Sequence, residues 1–160
     1  MTKGIGSAVT RKVIERLAEG PADGLRVGAL MESAPAGAPL RVMNAAAELM
    51  ERGGIAQYPV VTVYCEKVVN DLREKFRSFS GVVQMAIEVR HSQDRMDGVE
   101  AALEAQMDAV TQALSASRGD WGDGAYYAGA YQVSYGRMSR GGKNFTQAAK
   151  VSFEIGVSRS

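Results

Sequence analysis

The stretch from Pro59 to Arg90 constrains the fold more than any other. In its second half Val83, Met85, Ile87 and Val89 alternate with Gln84, Glu88 and Arg90. A period of two sends one set to a buried face and the other to a wet face, which describes a half-buried strand. The first half is rich in β-branched residues and bounded by Pro59, so it also reads as a strand. Val61, Val63 and Cys65 share one face, but Lys67 falls where an apolar residue should follow. That break predicts a β-bulge or twist near Cys65–Val68. The connector Asn70–Ser80 mixes charge with two phenylalanines and is too long for a two-residue hairpin turn.

Upstream, the pattern is helical. Val9, Val13, Ile14 and Leu17 recur at three- and four-residue spacing, predicting an amphipathic helix over Ser7–Glu19 with Ser7 as N-cap and Gly20-Pro21 as its stop. Leu25–Ser33 predicts one or two further helical turns. Leu40–Arg52 carries Val42, Met43, Ala46, Leu49 and Met50 as an apolar stripe, closed by Gly53-Gly54. A helix, a short helix and a helix ending in Glu-Arg-Gly-Gly-Ile before a strand resemble a winged helix-turn-helix unit, in which Leu40–Arg52 would contact DNA. A recognition helix needs exposed donors, and this one offers Arg41, Asn44 and Arg52 around an Ala-Ala-Ala middle. A small helical bundle or arm is the favoured reading.

Downstream, Ser92–Ser117 reads as a long helix, with Met96, Val99, Leu103, Met107, Val110 and Leu114 on one side. Glu100, Glu104 and Asp108 line its other side. They read as a solvated acidic face rather than a metal site, since no histidine or second carboxylate helix accompanies them. Arg118–Gly124 reads as a turn with Trp121 as a lid on the core. Ala125–Met138 alternates, with Tyr127, Tyr131, Val133 and Tyr135 on one parity. Ser139–Asn144 is a basic loop, and Ala149, Val151, Phe153, Ile155 and Val157 make a strictly alternating last strand over Gln147–Val157. The predicted fold class is α+β: a helical N-terminal part (1–57), then a β-β-α-β-β domain (58–160) whose four-stranded, mainly antiparallel sheet is covered on one face by the long helix.

Composition bears mainly on what the chain does. With a net charge of +1, no global field draws it to nucleic acid or an anionic membrane, so a basic site must be local. No apolar run approaches the roughly 18–20 residues of a membrane span, and the first residues lack an apolar signal core. One cysteine and one histidine allow no internal disulfide and no thiolate metal cluster, and an intracellular setting is expected. His91 has no partner serine or cysteine in a recognisable motif, and Cys65 lies in a strand where burial makes it inert. No catalytic residue, metal site or cofactor is predicted, and the chain is expected not to be an enzyme.

Four runs carry a resemblance: Leu72–Gly81, Met85–Arg95, Arg118–Gly122 and Gly141–Glu154. Together they resemble tailed-bacteriophage neck and tail proteins, and the order of elements is similar to that of the tail terminator family. The resemblance covers Pro59 to the C-terminus. It implies a structural virion protein that forms a ring, a hexamer, between head connector and tail tube, and is found in host cytoplasm only during assembly. Its partners would be its own copies, the tail tube protein, the connector or adaptor proteins and genomic DNA sliding through the lumen, with no membrane. Within such a ring, Arg73, Lys75, Phe76, Arg77 and Phe79 form a candidate arm, and Glu100, Glu104 and Asp108 a candidate receiving face. Arg137, Arg140 and Lys143 form a candidate patch for DNA or an adjacent ring. The alternatives are a DNA-binding regulator using Arg41 and Arg52, or a head-completion (stopper or adaptor) protein.

Overall fold

The computed structural model describes residues 4–19, 41–44 and 60–160. In chain order these form α1 (Ile5–Glu19), β1 (Arg41–Asn44), β2 (Val60–Asn70), β3 (Phe79–Gln93), α2 (Val99–Ala116), β4 (Gly119–Gly122), β5 (Ala125–Tyr127), β6 (Tyr131–Tyr135), β7 (Ser139–Gly141) and β8 (Asn144–Arg159).

The centre is the antiparallel pair β3–β8, matched without a register shift from Phe79↔Arg159 to Gln93↔Phe145. Both strands alternate strictly, so their odd-numbered residues share a face. Val83, Met85, Ile87, Val89, Val151, Ile155 and Val157 are buried on it. α1 contributes Val9, Val13 and Leu17 to the same core, and α2 contributes Leu103, Met107, Val110 and Leu114. The opposite face carries Gln84, Glu88, Arg90, Lys150 and Glu154, each only partly buried or exposed.

The expected bulge is present. β2 slips against β3 between Cys65 and Lys67, so that Lys67 pairs with Gln84 and Val68 with Val83. The extra residue returns Val68 to the apolar parity and puts Lys67 on the polar face.

The predicted fold class does not hold. The sheet has eight strands rather than four, seven joined by antiparallel pairing and β1 added parallel to β2. The described residues contain two helices. Three causes can be named. Ala125–Met138 is not one strand: it lies along β8 as β5 and then β6, broken where Gly129 takes φ 108, and the expected basic loop Ser139–Asn144 is itself mostly strand, forming β7 and the first residue of β8. Arg118–Gly124 is not merely a turn: β4 pairs with β5 through Asp123 at φ 52 and Gly124 at φ 78, a two-residue Asp-Gly hairpin turn. The expected Leu40–Arg52 helix is not formed at its start, because Arg41–Asn44 pairs with Val60–Val63. Ladder bonds offered by the open edge of β2 outweigh the helical propensity of the run. Leu25–Ser33 and positions 45–52 lie outside the described residues.

Two helix boundaries also move. α1 starts at Ile5, so Ser7 is inside the helix rather than its cap. α2 starts at Val99 rather than after Ser92, because Ser92 and Gln93 continue β3 and pair with Thr146 and Phe145 of β8. Gln93 then donates its amide Nε2 to the carbonyls of Arg95 (2.8 Å) and Asp97 (2.7 Å), folding the chain back toward Gly98, which caps α2 at φ 87.

Trp121 closes one end of the core, as its sequence position suggested. Its indole donates to the Ser117 carbonyl at 2.6 Å, and Arg16 of α1 stacks over the ring at 5.6 Å. Lys12 donates to the Trp121 carbonyl and pairs with Asp123 at 3.0 Å, fastening α1 to the β4–β5 turn. That pair holds the Asp123 carboxyl below its ordinary range.

Candidate assembly surface

The β2–β3 hairpin is long: its ladder runs from Val60↔Arg90 to Asn70↔Gly81. Its tip, residues 71–78, is exposed throughout. The tip is nevertheless held by hydrogen bonds. Asn70 closes it with both halves of its amide, accepting from the Ser80 backbone N–H at 3.0 Å and donating to the Ser78 carbonyl at 3.0 Å. The Arg73 N–H donates to the Ser80 carbonyl, and the Glu74 N–H to the Ser80 hydroxyl. From β8, Ser158 donates to the Glu74 carboxylate at 2.7 Å.

This scaffold carries two residues in the left-handed region, Leu72 at φ 50 and Phe76 at φ 65. A bulky residue there is an outlier that surrounding structure must impose. Phe76 is 100% exposed and Leu72 59%. A rigid tip that displays a phenylalanine completely to solvent is a feature of surfaces that meet a partner.

The candidate arm residues separate. Arg73 pairs with Asp71 at 2.7 Å and Arg77 with Glu74 at 3.3 Å, inside the tip itself. Among the described residues Lys75 pairs with no carboxylate. Phe79 does not belong to the arm: it begins β3, is 6% exposed and packs in the core.

The other candidates lie elsewhere. Glu100, Glu104 and Asp108 are exposed along α2. Tyr135 of β6 lies near them, its hydroxyl pKa raised by burial and then by Glu104 and Asp108. Arg137, Arg140 and Lys143 are exposed around β7, with Arg140 stacked on Phe145 at 5.6 Å. The structure therefore does not gather these groups into one site.

The polar face of the sheet holds a feature that sequence reasoning missed. A shallow cavity of about 470 Å³ lies there, lined by Glu66, Gln84, Ser152, Glu154 and the 128–132 segment. Lys150 bonds Glu66 at 3.2 Å, which raises the lysine's pKa and satisfies that carboxylate. Glu154 is exposed and meets only the Gln84 amide, at 3.5 Å, among the described residues. Ala128 and Ala130 supply the apolar part of the lining. Only the register across four strands brings these positions together. The one sequence signal is the Ala-Gly-Ala interruption in the Tyr127–Tyr135 alternation.

Groups with reactive side chains are structurally engaged. Burial pushes the Cys65 thiol up. His91 is held between two amides: Gln106 donates to Nδ1 at 3.0 Å and Nε2 donates to Gln93 Oε1 at 3.0 Å. Among the described residues no three His, Cys, Asp or Glu side chains cluster to hold a metal ion, and no helix is long and apolar enough to cross a membrane. Set against known proteins, the chain matches no protein-family model and no curated protein.

Proposed function

We propose that this chain is a structural virion protein of a tailed bacteriophage. Its copies associate into a ring at the head–tail junction, end the tail tube and dock it to the head connector. The sequence resemblance supplies the setting, and one structural observation supports the mode of action: the rigid β2–β3 tip with Phe76 wholly exposed. A projecting anchor of this kind acts by contact rather than by chemistry. A contact between two different surfaces of one chain is heterologous, and repeated heterologous contacts close into a ring when the rotation permits. Exposed Arg137, Arg140 and Lys143 then serve either the adjacent ring or DNA in the lumen. Their charge is scattered enough for DNA to slide without being held.

The experiment is to image the purified full chain by electron microscopy and to locate a tagged copy in intact virions. Closed rings, with the tag at the head–tail junction, support the reading. A strictly monomeric chain that is absent from virions overturns it.

A further inference from the structure

We infer that the β2–β3 tip of one copy, through Phe76 and Lys75, seats in the polar-face cavity beside Glu154 of a second copy. This deepens the ring reading above and rests on it.

The two surfaces are complementary in size, polarity and charge. The tip offers a fully exposed aromatic ring next to a lysine with no carboxylate partner among the described residues, because its two arginines are already paired with Asp71 and Glu74. The cavity offers the small apolar residues Ala128 and Ala130 next to the Glu154 carboxylate, which no cation neutralises among the described residues. Its volume of about 470 Å³ exceeds that of a phenyl ring and leaves room for the ammonium beside it. Glu66 is held by Lys150 and so fixes one side of the cavity without competing for the incoming lysine.

The Asn70 amide and Ser80 hold the tip before any partner arrives, so little conformational entropy is lost on docking. The floor of the cavity is preformed, because Gln84, Ser152 and Glu154 sit on the β3–β8 ladder, which has no register break. Tip and cavity are different parts of one molecule, so each copy can give one contact and receive another, as ring closure requires.

The test uses the full chain and its point variants, with mass photometry across a dilution series and circular dichroism as the check on folding. Phe76→Asn keeps a residue that tolerates the left-handed conformation and removes only the ring. Glu154→Lys reverses the receiving charge. Each is expected to raise the concentration at which rings dissociate by roughly thirtyfold, the effect of losing a buried anchor. Lys75→Glu combined with Glu154→Lys is expected to restore assembly toward wild type. Wild-type rings that persist unchanged in Phe76→Asn and Glu154→Lys overturn this docking mode and leave the ring reading standing. Dissociation by the single variants without rescue by the charge swap overturns the pairing of Lys75 with Glu154. A wild-type chain that stays monomeric at every concentration overturns both.

Discussion

Replacing Gly81 with alanine tests whether close approach of β2 to β3 sets the hairpin that presents the tip. Gly81 stands opposite Asn70 of β2 and Val157 of β8. A Cβ placed there overlaps the Val69 carbonyl oxygen and lies 2.9 Å from its carbon and 3.1 Å from the Asn70 Cα. All three atoms are backbone, so no rotamer change relieves them. The oxygen overlap is the tightest of the three contacts, so β2 has to withdraw by on the order of 1 Å. That displacement takes neighbouring ladder hydrogen bonds from about 2.9 Å to beyond their useful range. Weakening two of them costs about 2 kcal/mol, and the lower entropy of an unfolded alanine returns about 0.5 kcal/mol. The expected net loss is ~1.5 kcal/mol, a fall in Tm of about 3–6 °C for a chain this size. Gly156→Ala in β8 is the control. It pairs with Val82 of the same ladder, but its nearest neighbour beyond the chain is the Tyr126 carbonyl oxygen at 3.7 Å. It should be neutral or gain up to about 1 kcal/mol. Urea unfolding followed by circular dichroism reads both as shifts in midpoint at constant slope. A Gly81→Ala midpoint equal to wild type, or an equal loss in Gly156→Ala, refutes the close-approach account.

Other outcomes follow from the same structure. Asn70→Ala removes both amide bonds that close the tip, so it should cost about 1 kcal/mol. It should also speed amide exchange across residues 71–78 far more than in β3, read by hydrogen-exchange mass spectrometry. Trp121→Phe deletes the indole donor to Ser117 and the contact with Arg16, with an expected loss of about 1–3 kcal/mol in urea unfolding. Burial raises the Tyr127 hydroxyl from 10.0 to about 12. The unfolded chain therefore releases this proton first as pH rises, and the folded state binds more protons in that window. Stability is intact below the ordinary tyrosine value and falls by on the order of 2 kcal/mol between about pH 10 and 12. Urea midpoints across that range should fall less steeply in Tyr127→Phe than in wild type, and equal slopes refute the assignment.

Parts of this molecule were legible in the residues, for reasons that can be given. Alternation along Val83–Val89 and Ala149–Val157 is a local property, since a strand with one buried face must repeat every second residue. The misplaced Lys67 announced the bulge because inserting one residue puts Lys67 opposite Gln84 on the polar face and Val68, itself 45% exposed, opposite Val83. Trp121 and the helical stripes of α1 and α2 were visible in the same way. Asp123-Gly124 was a missed local signal, because that dipeptide is a strong marker of a tight hairpin and β4–β5 is built on it. Of the candidate arm, Phe76 stands where its charged neighbours suggested, while Phe79 belongs to the core, one step of alternation beyond the end of the tip.

By itself, then, the sequence determined which segments alternate, which repeat helically, and that a charged, aromatic connector must join β2 to β3. It did not determine how many strands the sheet would hold. Arg41–Asn44 became a strand only because β2 had an edge to offer. Ser92 and Gln93 stayed extended only because Thr146 and Phe145 lay opposite. Ala125–Gly141 broke into three pieces only where β8 required it. Hydrogen bonds between strands join residues distant in the chain, so their gain appears only once the partner is in place. The cavity beside Glu154 belongs to the same class: its walls come from β2, β3, β8, β6 and the turn before β6, and the Ala-Gly-Ala interruption at that turn is the one local trace of it.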